Sequence, residues 1–72
     1  MEQRQQRIQI NGVWTTTQAA TVAALVESLA IAATRAGTAV AVNDAVVRRR
    51  GWSELELHDG DRVEIIQPVQ GG

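Results

Sequence analysis

The dipeptide Asn11-Gly12 does most to limit the fold. Ahead of it Arg7-Ile8-Gln9-Ile10 alternates polar and apolar residues with period two, and behind it Val13-Trp14-Thr15-Thr16-Thr17 is β-branched and aromatic. Asn and Gly both accept the positive φ values of a type I′ turn, so the segment predicts a β-hairpin closed by a two-residue loop. Such a loop fixes register, and register puts Ile8 and Ile10 on one face that something else must cover.

The cover comes next in the chain. Thr21 stands at an N-cap position ahead of Val22, Leu25, Val26 and Leu29, whose i, i+3, i+4, i+7 spacing makes one apolar helix face. The pattern predicts a helix from about Thr21 to Ala33. Ala23, Ala24, Ala30, Ala32 and Ala33 add helix propensity, and Gly37 is suited to terminate it. A third strand reads as Thr38-Ala39-Val40-Ala41-Val42, a turn as Asn43-Asp44, and a short fourth strand as Ala45-Val46-Val47. Arg48-Arg49-Arg50-Gly51 interrupts the pattern, and Trp52-Ser53-Glu54-Leu55-Glu56-Leu57 fits either a short helical turn or an extended connector. Asp59-Gly60-Asp61 signals a turn, Arg62-Val63-Glu64-Ile65-Ile66 alternates as a last strand, and Pro68 ends it by removing a backbone donor.

Strands before and after one amphipathic helix imply an α+β fold, a β-grasp (ubiquitin-like) roll with a mixed four- to five-stranded sheet and one main helix across one face. The chain divides into a polar leader at 1–6, a β-grasp domain at 7–67 and a flexible tail at 68–72. In the last strand Val63 and Ile65 should face the helix, which leaves Ile66 on the opposite face. There, beside Val69, it would form an apolar partner surface. If the last strand lies between the first and third, its end projects the tail from the body, and the tail reaches about 16 to 18 Å when extended.

Composition narrows the function classes. A chain of 72 residues buries only about 60% of its unfolded surface and has little room for a deep substrate cleft. That argues against an autonomous enzyme. With no cysteine there can be no disulfide, thiolate metal site or cysteine nucleophile. The sequence has no apolar run of about 20 residues, and Met1-Glu2-Gln3-Arg4-Gln5-Gln6 is not a secretory signal. The expectation is a soluble cytoplasmic protein without a membrane partner. A formal net charge of −1 gives none of the long-range attraction expected of a nucleic-acid binder. All seven basic residues are Arg, so the chain cannot build lysine-linked chains of itself.

The chain ends in Gly71-Gly72. At about 7% glycine usage, chance supplies a terminal pair in roughly one chain in 200. The pair forms a slim tip, free of side chains, carrying a carboxylate, and it suits a narrow tunnel in another protein. Other candidates have plainer readings. Arg48, Arg49 and Arg50 read as a solvated loop, with docking onto an acidic partner surface as the functional alternative. Asp59 and Asp61 flank a glycine, which fits a turn and falls far short of a calcium loop. His58 is the one histidine and has no catalytic partner motif, so it reads as a surface residue. Trp14 and Trp52 read as core or rim packing, because no basic groove accompanies them.

Val40-Ala41-Val42-Asn43, Val46-Val47, Trp52, Asp59-Gly60-Asp61-Arg62-Val63-Glu64-Ile65 and Val69-Gln70-Gly71-Gly72 stand in a familiar order. From Ile8 onward the chain resembles the ThiS family, the ubiquitin-like sulfur carriers of thiamine thiazole biosynthesis. The Asp-Gly-Asp turn, the strand after it and the Gly-Gly end carry the resemblance, whereas scattered valines are generic. Arg48 departs from the family by standing where a proline is often found. Pro68 is similar to the proline in the tails of molybdopterin-synthase small subunits, which keeps that carrier as an alternative. A ubiquitin-like protein modifier and a non-reactive β-grasp interaction domain are the alternatives from other classes.

The resemblance implies a protein cosubstrate and not an enzyme. A terminal carboxylate with an ordinary pKa of about 3.3 to 3.7 is a poor acyl donor at neutral pH and must be activated. By resemblance, a ThiF-like adenylyltransferase uses ATP and Mg²⁺ to adenylate Gly72, and a persulfide donor such as a cysteine desulfurase converts it to a thiocarboxylate. A ThiG-like thiazole synthase then receives the sulfur. Gly72 supplies the reacting atoms, Gly71 the slimness, and Val69 and Gln70 are read along the tunnel. The chain itself is expected to bind no cofactor or metal.

Overall fold

The computed structural model describes residues 5–29 and 37–67. Strands β1 (Gln6–Ile10) and β2 (Val13–Thr17) form the expected hairpin. Ile10 pairs with Val13 across Asn11 and Gly12, whose φ values of 50° and 85° are both positive, as a type I′ turn requires. Helix α1 (Val22–Ser28) follows, then β3 (Ala39–Val42), β4 (Ala45–Val47), one 3₁₀ turn at Arg49–Gly51, and β5 (Arg62–Ile66). The β3–β4 turn repeats the first one, with φ of 52° at Asn43 and 72° at Asp44.

The strands form one five-stranded sheet in the order β2-β1-β5-β3-β4. β5 runs parallel to β1 and antiparallel to β3, so the last strand fills the centre of the sheet. This mixed sheet with a helix on one face is the β-grasp roll. The core lies between them: Ile8, Val22, Leu25, Val40 and Val63 are fully buried, joined by Val26, Val42, Trp52, Leu57 and Ile65. Each such side chain contributes about 1.5 to 3 kcal/mol by leaving water. That burial matters because a helix as short as α1 has too few hydrogen bonds to offset its own nucleation.

The start of α1 also depends on tertiary structure. The Thr21 side chain accepts from the Ala24 N–H at 3.2 Å, as an N-cap does. The two N–H groups ahead of it find partners in a distant segment: Val22 donates to the Leu55 carbonyl at 3.1 Å and Ala23 to the Trp52 carbonyl at 2.9 Å. The stretch 52–57 therefore contains both conformations that its sequence allows. It first continues the 3₁₀ turn, with the Glu54 N–H donating to the Gly51 carbonyl at 3.1 Å, then extends so that Glu56 bridges Thr21 and Leu57 donates to the Ala20 carbonyl. Trp52 is buried, with its indole N–H on the Val47 carbonyl at 2.9 Å. The part of the expected helix from Ala30 to Ala33 lies outside the described residues.

Candidate functional site

The end of β5 is the point from which the chain continues to the Gly-Gly segment. Along β5, Val63 and Ile65 are buried while Arg62, Glu64 and Ile66 are exposed. The strand thus turns alternate residues to the core and to the open face of the sheet. Ile66 is 59% exposed, as its place in the alternation requires. Register sets Ala39 opposite Ile66, Ala41 opposite Glu64, and Val46 opposite Ala41. Ile66, Ala39, Ala41 and Val46 therefore stand together on the open face, at and beside the end of β5 from which the chain continues. Gln67 is the last described residue there. Val69, Gln70, Gly71 and Gly72 lie outside the described residues, as does Pro68.

Two asparagines hold β5 in a way that sequence pattern does not reveal. β1 accompanies β5 only as far as Val63 before turning away at Asn11. Past that point the Asn11 carboxamide takes the place of the missing strand. Its Oδ1 accepts from the Ile65 N–H at 2.8 Å, and its Nδ2 donates to the Ile65 carbonyl at 3.3 Å. At the other end of β5, Asn43 Oδ1 accepts from the Arg62 N–H at 2.9 Å, and the Asn43 N–H donates to the Arg62 carbonyl at 2.7 Å. Both residues read from sequence only as turn formers. The choice of Asn at the first position of both two-residue turns is the available signal, because glycine would serve the backbone but supply no carboxamide.

The Asp59-Gly60-Asp61 turn is a knot of backbone hydrogen bonds. Asp59 Oδ1 accepts from the Arg7 N–H at 2.8 Å, and the Gly60 N–H donates to the Arg7 carbonyl at 2.8 Å. Asp61 Oδ2 accepts from the His58 N–H at 2.8 Å and Oδ1 from the Asn43 carboxamide at 3.0 Å. The two carboxylates join β1, the β3–β4 turn and the start of β5. Among the described residues, no three His, Asp or Glu side chains group closely enough to hold a metal ion. No helix among them is long and apolar enough to cross a membrane.

The remaining sequence candidates lie apart from the end of β5 or beside it without joining it. The His58 side chain is exposed, 3.9 Å from Asp61. Arg48, Arg49 and Arg50 are exposed, and Arg49 lies over the Trp52 ring at 4.7 Å. Trp14 is half exposed on the open face, beneath the Arg7 guanidinium at 4.6 Å.

The ThiS family model matches residues 4–72, and so includes the Gly-Gly end and begins two residues before β1. The sulfur carrier protein ThiS of Escherichia coli K12 is 37% identical over 38 residues, covering 53% of this chain and 58% of that protein. The chain thus spans somewhat over half the length of that curated relative in the matched region. A crystal structure of the thiamine biosynthesis protein ThiS from Geobacter metallireducens superposes with a TM-score of 0.74 at 28% identity, covering 92% of this chain and 99% of that one. With the sheet order, the central β5 and a family match over nearly its whole length, the chain belongs to the ThiS family.

Proposed function

We propose that this protein carries sulfur for thiamine biosynthesis on its terminal carboxyl group and acts as a cosubstrate of partner enzymes. The observation that carries the proposal is the family match running through to Gly72. A ThiF-like adenylyltransferase would take ATP with Mg²⁺, and a Gly72 carboxylate oxygen would attack the α-phosphorus and release pyrophosphate. The terminal sulfur of a persulfide, formed by a donor such as a cysteine desulfurase, would then attack the acyl carbon and displace AMP. A thiol would cleave the resulting S–S bond, leaving a thiocarboxylate on Gly72 and a disulfide on the donor side. The thiocarboxylate is the sulfur nucleophile delivered to a ThiG-like thiazole synthase.

In this scheme the body of the chain presents the tail and does no bond chemistry. Gly71 keeps the tip narrow, Gln70 and Val69 are read beside it, and Ile66 is the partner-facing residue at the base of the tail. The absence of cysteine and lysine suits a carrier whose activated acyl group should not be captured by another copy's side chain.

The test is the intact mass of the protein after incubation with ATP, Mg²⁺, its adenylyltransferase and a persulfide source. Replacement of one oxygen by sulfur, located on Gly72, is the expected result. An unmodified chain, with the enzymes active on a control carrier, would overturn the proposal. Adducts on lysines of other proteins would assign the tail to protein modification.

A further inference from the structure

We propose that Asn11 is a positioning residue: its carboxamide clamps Ile65 and so fixes the point and direction from which the tail leaves the sheet. This inference rests on the carrier reading for its kinetic consequence but not for its structural one. β5 is paired on both sides up to Val63. Beyond it the β3 side continues, with Ile65 opposite Val40 and Ile66 opposite Ala39, while on the other side β1 has turned away. Without Asn11 the last residues of β5 would be held along one edge only. The carboxamide accepts from the N–H and donates to the carbonyl of one residue, Ile65, as a neighbouring strand would. Ile65 is followed by exposed Ile66, by Gln67 and then by the tail. A partner that must engage both the open sheet face and a terminus five residues further on needs that origin fixed. Otherwise binding pays for ordering it.

The fold supplies its own control. Asn43 occupies the same turn position, with φ of 52° against 50° for Asn11, and clamps the opposite end of β5 at Arg62. Asn11→Gly and Asn43→Gly each keep a type I′ turn, because glycine adopts positive φ freely, and each deletes one carboxamide. The Asn43 carboxamide also donates to Asp61 Oδ1 at 3.0 Å, so Asn43→Gly loses a contact outside β5 as well. A purely structural role predicts adenylation losses that follow each variant's loss of stability, whereas the positioning role predicts a KM effect confined to Asn11→Gly when both variants are folded.

Amide hydrogen exchange under native conditions is the first readout. Asn11→Gly should speed exchange at Ile65, whose N–H donates to the carboxamide, and at Ile66 after it, by about tenfold or more while leaving Arg62 protected, and Asn43→Gly should show the reverse. Adenylation by the partner enzyme, followed by pyrophosphate release, is the second. Asn11→Gly should raise KM roughly five- to tenfold with kcat nearly unchanged, and Asn43→Gly should stay within about twofold of wild type. Equal losses in both variants, or unchanged exchange at Ile65 in Asn11→Gly, would overturn the proposal. A wild-type protein that is not adenylated at all would refute the carrier reading, and exchange at Ile65 would then decide the role of Asn11 alone.

Discussion

Removing the Asp61 carboxylate tests whether the Asp-Gly-Asp motif, the most specific part of the chain's body, holds the fold or performs chemistry. Each oxygen of Asp61 accepts one hydrogen bond, from the His58 N–H at 2.8 Å and from the Asn43 carboxamide at 3.0 Å. The side chain is only 14% exposed. Hydrogen bonds to a charged group contribute about 1.5 to 3 kcal/mol when protected from water. His58 and Asn43 are themselves exposed, so water can replace part of what is lost, and about 1 kcal/mol for each bond is the appropriate scale. Asp61→Ala should therefore cost about 2 kcal/mol, out of roughly 4 to 11 kcal/mol for a chain of this length.

For a domain of this size each kcal/mol lowers Tm by about 4 to 8 °C, so the shift should be roughly 8 to 16 °C. Thermal melts followed by circular dichroism and by fluorescence of buried Trp52 would measure it. Asp61→Asn, which keeps one acceptor oxygen, should lose about half as much. A shift below about 3 °C for the alanine variant would refute the reasoning and leave the turn held by its backbone bonds, such as the Asp61 N–H on the His58 carbonyl. At a temperature where the variant is folded, adenylation should proceed at the wild-type rate, because Asp61 and the tail flank opposite ends of β5. A slowed reaction on folded protein would instead place the turn in a partner contact.

Three further outcomes follow from the same geometry. Gly60→Ala should cost about 1 to 2 kcal/mol by urea denaturation, from backbone strain at φ of 87° and not from crowding, since no heavy atom beyond its two chain neighbours would lie within 4 Å of the new Cβ; an unchanged midpoint would contradict the positive φ. Ile66→Asp should raise the KM for adenylation about tenfold while leaving the melting curve in place, because the side chain is exposed at the base of the tail; an unchanged KM would remove Ile66 from the partner surface. Gly71→Ala should slow pyrophosphate release from a normally folded protein by steric block in the tunnel, and an unchanged rate would show that the tunnel is not narrow there.

What the sequence made legible was local. Asn11-Gly12 carried turn type and register together, so the pairing of Ile8 with Thr15 and of Ile10 with Val13 was already determined. Thr21 marked the helix start because its cap is made three residues away. The stretch from Trp52 to Leu57 was ambiguous for a nonlocal reason: its carbonyls are spent on the N–H groups of Val22 and Ala23, a demand made by a distant element. Alternation in β5 correctly put Ile66 opposite the buried Val63 and Ile65. The clamping roles of Asn11 and Asn43 were hidden, because they exist only once β5 has inserted between β1 and β3. The chemistry proposed for Gly72 rests on residue type and on the family match, and its position lies beyond the described residues.

The central placement of β5 gives its alternating residues separable duties. Val63 and Ile65 point into the core, where truncation costs stability, while Glu64 and Ile66 point to the open face, where substitution leaves packing untouched. A strand at the sheet edge would offer no such separation, because its unpaired backbone would itself be part of any docking surface. Here both sides of the strand are already occupied, by β3 along its length and by β1 and then the Asn11 carboxamide on the other side. On the proposed carrier function, recognition here would therefore come from side chains on the open face and from the segment after Gln67, with the backbone of β5 as the base from which a partner would measure the distance to Gly72.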